Sequence, residues 1–405
     1  MNQRELFFAH LGQTSDNPLA IQIKKAKGCY FWDSRGKKYI DLISGISVSS
    51  LGHCNSKVVK AIQKQASKYL HTMVYGEHIQ APQVQLAKAL CEILPSQLDK
   101  VYFVNSGSEA IEAAMKLAKK KTGRSHFIAQ KYSYHGSTHG ALSLMSDTYF
   151  KEKYEPLLPD ISFIEQNNMA DVSQITSKTA AVIIELVQAE RGIYTADLTY
   201  IKAIKKRCEK MGCLLILDEI QSGMGRTGKF FAFEHFGIVP DILVLAKAFG
   251  AGMPLACLVA NNTLLNLFTN NPPLGHISTF GGHPVSCAAS LAGMQLLNKN
   301  NWVAQADAKG ILFKKNIQHT AIKEIRQIGL WLAIDFEDKD FNHLVIDECI
   351  ANGIHVDWFL FNETSMRIAP PLIIKENEIK LTCKNIVKII DRMYEKYKNI
   401  AAVNP

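Results

Sequence analysis

The sequence has few cysteines and no motif that pairs them. Its nine cysteines are odd in number and scattered along the chain, with no CxxC pair. Disulfide frameworks and zinc sites both require paired or regularly spaced cysteines. The sequence therefore predicts no disulfide framework, no zinc site and no other metal site. The protein is expected in a reducing compartment.

Long hydrophobic runs are also missing. The apolar patch at Leu6–Ala9 is too short for the hydrophobic region of a signal peptide. The most apolar segments, 180–187 and 213–217, have the length of a β-strand and are far shorter than a membrane span. We therefore expect a cytoplasmic protein that does not associate with membranes.

The chain has no low-complexity tract and no concentrated charge. Its 46 Lys and Arg residues exceed its 37 Asp and Glu residues by only nine, and they are scattered. This distribution does not predict nucleic-acid binding, although it suits anionic cofactors and carboxylate substrates. With 405 residues and 47% hydrophobic content, the chain is a globular protein long enough for two domains.

Helical patterns alternate with short apolar segments between about residues 61 and 296. The apolar segments are 100–104, 180–187, 214–217 and 242–246. Such alternation predicts a mainly parallel sheet covered by helices. The helical pattern at 200–211 ends at Gly212, directly before an apolar strand, which predicts a β-α-β crossover.

The two ends of the chain show another pattern. Residues 29–32 and 38–42 flank the turn Asp33–Gly36 and predict a β-hairpin. After about residue 297, the pattern predicts two longer helices that are separated by short strands. These strands include 330–336 and the segment 366–374.

These patterns predict an α/β fold in three parts. Residues 1–55 form an N-terminal segment and hairpin that belong to a small domain. Residues 56–296 form a large α/β domain, and residues 297–405 complete the small α+β domain.

Two segments of the large domain suggest contacts with a phosphorylated, flat ligand. Ser106, Gly107 and Ser108 follow a predicted strand and open the helix 111–121, where backbone N–H groups can bind a phosphate. The same residues also make a good helix N-cap. Tyr134 lies in a loop and can stack on a heterocycle, with packing in the core or an interface as the alternative.

Charged residues end two of the predicted buried strands. Asp218 and Glu219 follow 214–217, at the sheet edge where α/β proteins bind ligands. A buried carboxylate there needs a cationic partner, which a pyridinium nitrogen would provide. The alternative is a magnesium-binding pair of a nucleotide hydrolase, but the chain has no GxxxxGK[ST] loop.

Lys247 ends the other apolar strand, before the small-residue segment 248–254. Burial lowers the pKa of a lysine and makes its amine nucleophilic, so a Schiff base would remove the buried charge. A structural lysine whose ammonium reaches solvent is the alternative.

Together these segments resemble the class III pyridoxal-phosphate aminotransferases of fold type I, which include the acetylornithine, ornithine and 4-aminobutyrate enzymes. The resemblance is strongest in LDEIQSGMGRTG at 217–228 and continues to Lys247. It extends from about Gly28 to Pro371. It implies an enzyme that uses pyridoxal 5′-phosphate in a ping-pong cycle and forms a homodimer with active sites at the subunit interface.

The resemblance also implies roles for individual residues. Lys247 would form the Schiff base and move the proton, and Asp218 would keep the ring nitrogen protonated. Gln221 would contact the phenolic oxygen, and Thr279 would reach the phosphate bound by the neighbouring subunit. The implied cofactor-binding set is Ser106, Gly107, Ser108, Tyr134, His135, Glu185, Asp218, Gln221, Lys247 and Thr279.

Arg367 matches the residue that binds the substrate carboxylate in this family, a task for which the planar guanidinium is suited. Glu190 matches a switch glutamate that pairs with this arginine while an ω-amine donor binds. For both residues a surface ion pair of little energetic value is the alternative.

The chain departs from the family pattern near these residues. Ser137 stands where glutamate-linked members carry an arginine for the far carboxylate of 2-oxoglutarate, and Arg191 stands where a small residue is common. We expect Arg191 to reach into the site and restore the charge, so that 2-oxoglutarate is the acceptor. In the alternative, Arg191 points to solvent and pyruvate is the acceptor.

The segment around Ile46 resembles an apolar substrate entry, which favours a donor with an apolar or acylated tail. The predicted reaction is transfer from an acetylornithine- or ornithine-like ω-amino donor to 2-oxoglutarate or pyruvate. The alternatives are a 4-aminobutyrate or other ω-amine:pyruvate transaminase, an aminomutase or decarboxylase on the same scaffold, and a cofactor-binding protein without catalysis.

Overall fold

The computed structural model describes residues 2–403. The strands are β1 Ile23–Lys27, β2 Tyr30–Asp33, β3 Lys38–Asp41, β4 Lys100–Val104, β5 His126–Gln130, β6 Ile161–Ile164, β7 Thr179–Ile184, β8 Val187–Gln188, β9 Tyr194–Thr195, β10 Leu214–Asp218, β11 Ile242–Leu245, β12 Ala256–Ala260, β13 Glu324–Gln327, β14 Leu332–Asp335, β15 Ile354–His355, β16 Asp357–Phe359 and β17 Asn362–Ile368. The α-helices are α1 Gln3–His10, α2 Ser44–Ser47, α3 Ser56–Ala66, α4 Ala81–Cys91, α5 Gly107–Thr122, α6 His139–Ser143, α7 Leu198–Met211, α8 Asn262–Leu265, α9 Pro284–Lys299, α10 Trp302–Asn316, α11 Lys339–Ala351 and α12 Glu376–Val403.

A seven-stranded sheet in the order β4-β12-β11-β10-β7-β5-β6 forms the centre of the protein. Its strands are parallel except β12, which pairs antiparallel with β4 and β11. The strands β7, β10 and β11 are buried along almost their whole length. Both faces must therefore be covered, and the mixed α/β fold with a mainly parallel sheet is confirmed.

The predicted crossover between β7 and β10 is also confirmed. These strands are parallel neighbours, and α7 connects them. The helix ends at Gly212, whose φ of 63° lies in the left-handed region that favours glycine. The strand β10 therefore begins directly after α7. Because β10 is parallel to β7, the carboxyl ends of the two strands lie side by side.

The N-terminal hairpin pairs with the C-terminal part of the chain. The strands β2 and β3 are antiparallel around residues 33–36, as predicted, and β3 pairs in parallel with β15. A separate sheet in the order β13-β14-β17-β16 lies in the C-terminal part. The domain boundaries at residues 55 and 296 stay predictions.

Several predicted element bounds change. The strand predicted at 180–187 ends at Ile184, because the Glu185 carboxylate accepts the N–H groups of Tyr134 and Ala189 and the chain turns there. Within residues 298–403, three α-helices begin, namely α10, α11 and α12, rather than the two predicted. The pattern of α10 is only weakly amphipathic, so the sequence does not separate it clearly from its neighbours.

No helix within residues 2–403 is both long enough and apolar enough to span a membrane.

Arg226 connects three distant parts of the chain and should be important for stability. The residue is buried, and its guanidinium donates to the carbonyls of Leu330 and Pro370 and to the Ser50 hydroxyl. Arg226→Met would leave both carbonyls without a donor, so we expect a loss of roughly 2–4 kcal/mol in the free energy of unfolding. Urea denaturation would measure this change. Arg35→Met, at an exposed position, is the control and should change the value by less than about 0.5 kcal/mol.

Candidate active site

A cavity of about 430 Å³ lies at the carboxyl edge of the central sheet. It brings together nearly all of the residues predicted for the cofactor site. Those in its wall are Ser106, Gly107, Ser108, Tyr134, His135, Glu185, Asp218, Gln221 and Lys247, and Glu190, predicted for the substrate, joins them there. The cavity exists here because β7, β10 and β11 are parallel neighbours, so the residues that follow them meet at one edge.

Asp218 and Glu219 have different environments although they are adjacent. The Asp218 carboxylate faces the cavity, accepts from the Ile220 N–H at 3.0 Å, and contacts His135 Nδ1 at 2.7 Å. The Glu219 carboxylate accepts the N–H groups of Ala232 and Phe233 at 2.6 and 2.7 Å. Glu219 therefore caps a short helix, and this geometry does not support the magnesium pair considered above.

His135 is buried with one ring nitrogen toward Asp218 and the other, Nε2, without a hydrogen-bond partner among the described residues. Burial lowers the pKa of His135, but the hydrogen bond and the charge of Asp218 outweigh it, so the pKa is raised. The imidazole therefore holds the Asp218 carboxylate in a fixed orientation.

Lys247 extends from the end of β11 into the cavity, where its Nζ donates to Gln221 Oε1 at 2.7 Å. Its backbone has a φ of 49°, in the left-handed region, which is uncommon for a long side chain and marks a locally strained turn. Burial lowers the pKa of Lys247, against the opposing charge of Glu190. A larger share of uncharged amine is therefore available than for a lysine in water.

The turn at the start of α5 approaches the loop at residues 134–136 very closely. A Cβ atom added to Gly136 would lie 2.0 Å from Ser108 Oγ, and the φ of Gly136 is 127°. A larger residue at 136 would therefore displace Ser108. Ser106 caps the helix by accepting from the Glu109 N–H. The same turn is therefore both a helix N-cap and a candidate anion site.

Glu185 is a second buried carboxylate in the cavity wall. Burial raises its pKa to about 7, opposed by the charge of His135. Its two oxygens accept from the N–H groups of Tyr134 and Ala189. Glu185 thus fixes the backbone of the loop that carries Tyr134 and of the turn that precedes Glu190.

Glu190 and Arg367 form a buried ion pair with two parallel hydrogen bonds, of 2.9 and 2.8 Å. The Leu360 N–H adds a third bond to the Glu190 carboxylate. Burial raises the pKa of Glu190, but Arg367 outweighs it and the pKa is lowered. The surface ion pair considered as the alternative is therefore wrong: Arg367 lies behind Glu190, which lines the cavity.

Thr279 and Ile46 are among the predicted residues that lie outside the cavity wall of their own chain. Thr279 is exposed, and its carbonyl contacts His71 Nε2 at 2.8 Å. Its predicted contact with a neighbouring subunit stays a prediction. Ile46 is half-buried and not in the wall, whereas Val48, two residues later, lines the cavity.

The expectation that Arg191 reaches into the cavity is wrong for this structure. Its guanidinium pairs with Glu165 at 2.9 Å and donates to Gln188 Oε1 at 3.0 Å. The rings of Tyr132 and Tyr194 lie within 5.0 Å of it. These partners hold the side chain outside the cavity wall, so it cannot replace the charge missing at Ser137, whose hydroxyl bonds the Tyr134 phenol.

Sequence reasoning missed Asp357. This carboxylate lies 3.2 Å from Arg367 Nε, on the strand beside it. No local motif marks the residue, because the contact depends on the register between β16 and β17. An alternating pattern at 357–359 is too short to fix that register.

The family comparison agrees with this geometry. The family model for "Aminotransferase class-III" matches residues 11–390, nearly the whole chain. The chain belongs to the class III aminotransferases. It is therefore a transaminase, with the mixed α/β fold of its fold type I relatives.

Relatives with printed names span most of the chain. The acetylornithine aminotransferase of Archaeoglobus fulgidus is 38% identical over 375 residues, which cover 91% of this chain and 95% of the relative. The [LysW]-aminoadipate semialdehyde/glutamate semialdehyde transaminase of Sulfurisphaera tokodaii is 38% identical over 321 residues, covering 78% and 81%.

A solved structure is similar along the whole fold. The ornithine aminotransferase from Toxoplasma gondii, crystallised with oxidized glutathione, matches with a TM-score of 0.89 at 27% identity. The match covers 97% of this chain and 95% of that one, and that structure shows partial occupancy of PLP at its active site.

The cavity residues fit the pyridoxal phosphate used by class III aminotransferases. Gln221 Nε2 is buried without a hydrogen-bond partner among the described residues, so one donor is available for the phenolic oxygen. Asp218 offers a carboxylate for the cationic ring nitrogen, and the open turn at Gly107 and Ser108 offers N–H groups for the phosphate. Every polar part of the cofactor therefore has a complementary group in the wall.

Because Arg191 lies outside the cavity, its removal should leave catalysis intact. For Arg191→Ala we expect kcat/KM for keto acids to stay within about twofold of wild type. The partly exposed ion pair with Glu165 should contribute no more than about 1 kcal/mol to stability. Steady-state kinetics would measure kcat/KM, and thermal denaturation would measure stability. Glu165→Ala removes the other partner of the ion pair and should change both quantities as little as Arg191→Ala does. A tenfold loss restricted to 2-oxoglutarate would instead place Arg191 in the site.

Proposed function

We propose that this chain is a pyridoxal-phosphate-dependent transaminase that transfers the terminal amino group of an acetylornithine-like ω-amino donor to a 2-oxo acid with one carboxylate. The two half-reactions alternate in a ping-pong cycle. The observation that carries the proposal is the buried Glu190–Arg367 pair at the wall of a cavity that also contains Lys247.

Lys247 is the proposed attachment point and proton carrier. Its Nζ lies in the cavity and donates to the Gln221 amide rather than to any carboxylate among the described residues, and its pKa is lowered. The neutral amine is a nucleophile toward a carbonyl and can take a proton at Nζ and return it. When bound, the cofactor would supply a protonated ring that withdraws electrons from the substrate carbon.

Asp218 and His135 are proposed to hold the cofactor's ring nitrogen in its cationic form. The Asp218 carboxylate is oriented by the 2.7 Å contact with His135. A cation beside this buried carboxylate is stabilised by several kcal/mol at the effective dielectric constant of such sites, in order-of-magnitude terms. Tyr134, in the wall, is proposed to pack on the ring face, and Gln221 to donate to the phenolic oxygen.

The ion pair between Glu190 and Arg367 explains how one site can accept two kinds of substrate. While Glu190 covers Arg367, the guanidinium is neutralised and does not face the cavity, which suits the uncharged or acylated part of an ω-amino donor. When the Glu190 side chain leaves, the Nη edge of Arg367 is free for the carboxylate of the keto acid. The names of the relatives, acetylornithine aminotransferase among them, support the donor class.

The charges of the wall favour an acceptor with one carboxylate. Among residues 2–403, Lys247 is the one Lys or Arg side chain in the wall, and Arg367 lies directly behind Glu190. Ser137 is neutral and Arg191 is held outside by Glu165. The second carboxylate of 2-oxoglutarate would therefore meet no guanidinium on this chain, so pyruvate is the proposed type of acceptor.

We also propose that the active enzyme is a cytoplasmic homodimer. Thr279 is exposed and is not part of the wall of its own cavity, and the resemblance assigns this residue to the neighbouring subunit's phosphate. An exposed position is compatible with such a contact.

Lys247→Ala should abolish covalent attachment of the cofactor. After incubation with pyridoxal phosphate and reduction with borohydride, mass spectrometry should find the added mass on the peptide containing Lys247 in wild type and on no peptide in the variant. Transamination should fall by at least about a hundredfold. Lys229→Ala, at an exposed position, is the control and should keep both properties. Label on another lysine of the wild type would refute the assignment.

A substrate screen tests the reaction itself. We expect amino transfer from N-acetylornithine, with kcat/KM for pyruvate exceeding that for 2-oxoglutarate by about tenfold or more, because a carboxylate without a partner is costly to bury. Product amino acids would be measured by chromatography with each donor and acceptor in turn. Higher efficiency with 2-oxoglutarate would overturn the proposed acceptor, and release of carbon dioxide without amino transfer would overturn the proposed reaction.

A further inference from the structure

Arg367 is faced by two carboxylates on two different edges. Its Nη1 and Nη2 atoms bind Glu190, and Nη2 also donates to the Trp358 carbonyl at 2.9 Å. On the opposite edge, Nε lies 3.2 Å from Asp357 Oδ1. With both carboxylates ionised, this small cluster has a net charge of −1, so the guanidinium is more than neutralised before any substrate arrives.

The two carboxylates differ in their freedom to move. Glu190 lines the cavity and is held by side-chain and backbone hydrogen bonds, which an incoming carboxylate can replace. Asp357 lies directly opposite Arg367 in the register of β16 and β17 and is not part of the cavity wall. The sheet therefore fixes Asp357 beside Arg367 whatever occupies the cavity.

The contact between Asp357 and Arg367 is electrostatic rather than a well-formed hydrogen bond. Both Asp357 Oδ1 and Arg367 Nε are buried, and neither has a hydrogen-bond partner among the described residues. The ring of Phe359 lies 4.5 Å from the guanidinium carbon and shields it from water. At this distance and burial, the charge of Asp357 acts strongly on Arg367.

We propose that Asp357 is a positioning residue that stays paired with Arg367 when Glu190 leaves and thereby sets, in a proton-dependent way, how strongly the site binds a substrate carboxylate. This inference rests on the proposed role of Arg367 as the carboxylate-binding residue. With Asp357 ionised, Arg367 and Asp357 form a neutral pair that attracts a carboxylate weakly. With Asp357 protonated, Arg367 presents its full positive charge.

The surroundings of Asp357 predict that its carboxyl group gains or loses its proton near pH 6. Burial raises its pKa to about 6, opposed by Arg367. The other charged groups facing it are Glu190 and Asp41, which raise the pKa, and His355, which lowers it. A carboxylate ligand adds negative charge nearby and favours the protonated form, so affinity should increase as the pH falls through about 6. Glu190 stays ionised in this range, because its pKa is lowered.

The test measures binding of a simple carboxylate without turnover. Butyrate would be titrated into the holoenzyme by ligand-observed NMR between pH 5.5 and 8, with butyramide as the uncharged probe of the same shape. For wild type we expect butyrate to bind roughly three- to tenfold more tightly at the low pH, and butyramide to show no such change. Glu185 also titrates in this window, since its pKa is raised to about 7. A variant of Asp357 is therefore needed to show which of the two carboxyl groups causes the pH dependence.

Asp357→Asn should bind butyrate at pH 8 as tightly as wild type does at pH 5.5, with little further dependence on pH. Its KM for pyruvate should fall several-fold at pH 8 while kcat changes little. Asp357→Ser serves if the first variant is not folded, as judged by circular dichroism. Asp347→Asn makes the same change of charge on the exposed face of α11 and should match wild type.

Two results would overturn the inference while leaving the proposed function intact. One is a variant with the same affinity and pH dependence as wild type. The other is weaker butyrate binding in both Asp357 variants, which would show that the carboxylate merely holds Arg367 in place. Absence of butyrate binding in every folded protein would overturn the role of Arg367 itself, and with it both proposals.

Discussion

The parallel arrangement of β7, β10 and β11 is the constraint on which the site depends. Each strand is buried, and a charged residue lies at its carboxyl end or within two residues after it. Because parallel strands end at the same edge, Glu185, Asp218 and Lys247 meet in one cavity although they are far apart in sequence. The antiparallel strand β12 lies between β11 and β4 and starts where β11 ends, so the segment after Lys247 stays at the same edge.

Charge balance then decides which of these groups are stable where they lie. The wall contains the carboxylates of Glu185, Glu190 and Asp218, and each is stabilised differently: by backbone N–H groups, by Arg367 and by His135, respectively. Lys247 is the group left without a carboxylate as hydrogen-bond partner. The protein thus fixes the positions of three carboxyl groups and leaves its amine free to react, which suits a site for a cationic ring and an exchangeable carboxylate.

The sequence predicted those features that local pattern determines. Strand ends are visible as apolar segments that stop at charged residues, and this is enough to single out Asp218 and Lys247. Gly212 marks the end of α7 for the same local reason, its left-handed backbone. The family resemblance added Gln221, Glu190 and Arg367, whose distances no local pattern could supply.

The failures have a common physical cause, which is that long-range partners decide the direction of a side chain. The direction of Arg191 depends on Glu165 and two tyrosines from other segments. The importance of Asp357 depends on the register of two short strands. Neither can be deduced from the residues next to them in sequence.

The capping of Arg367 by Glu190 also bears on inorganic anions. A bare guanidinium in a cavity would attract chloride or phosphate from the cell, and the site would then be inhibited much of the time. Here an anion must replace two parallel hydrogen bonds and that of the Leu360 N–H before it reaches the arginine. Only a molecule that gains further contacts in the cavity can offset that loss. The Glu190 carboxylate therefore favours binding of organic acids over binding of inorganic anions at Arg367.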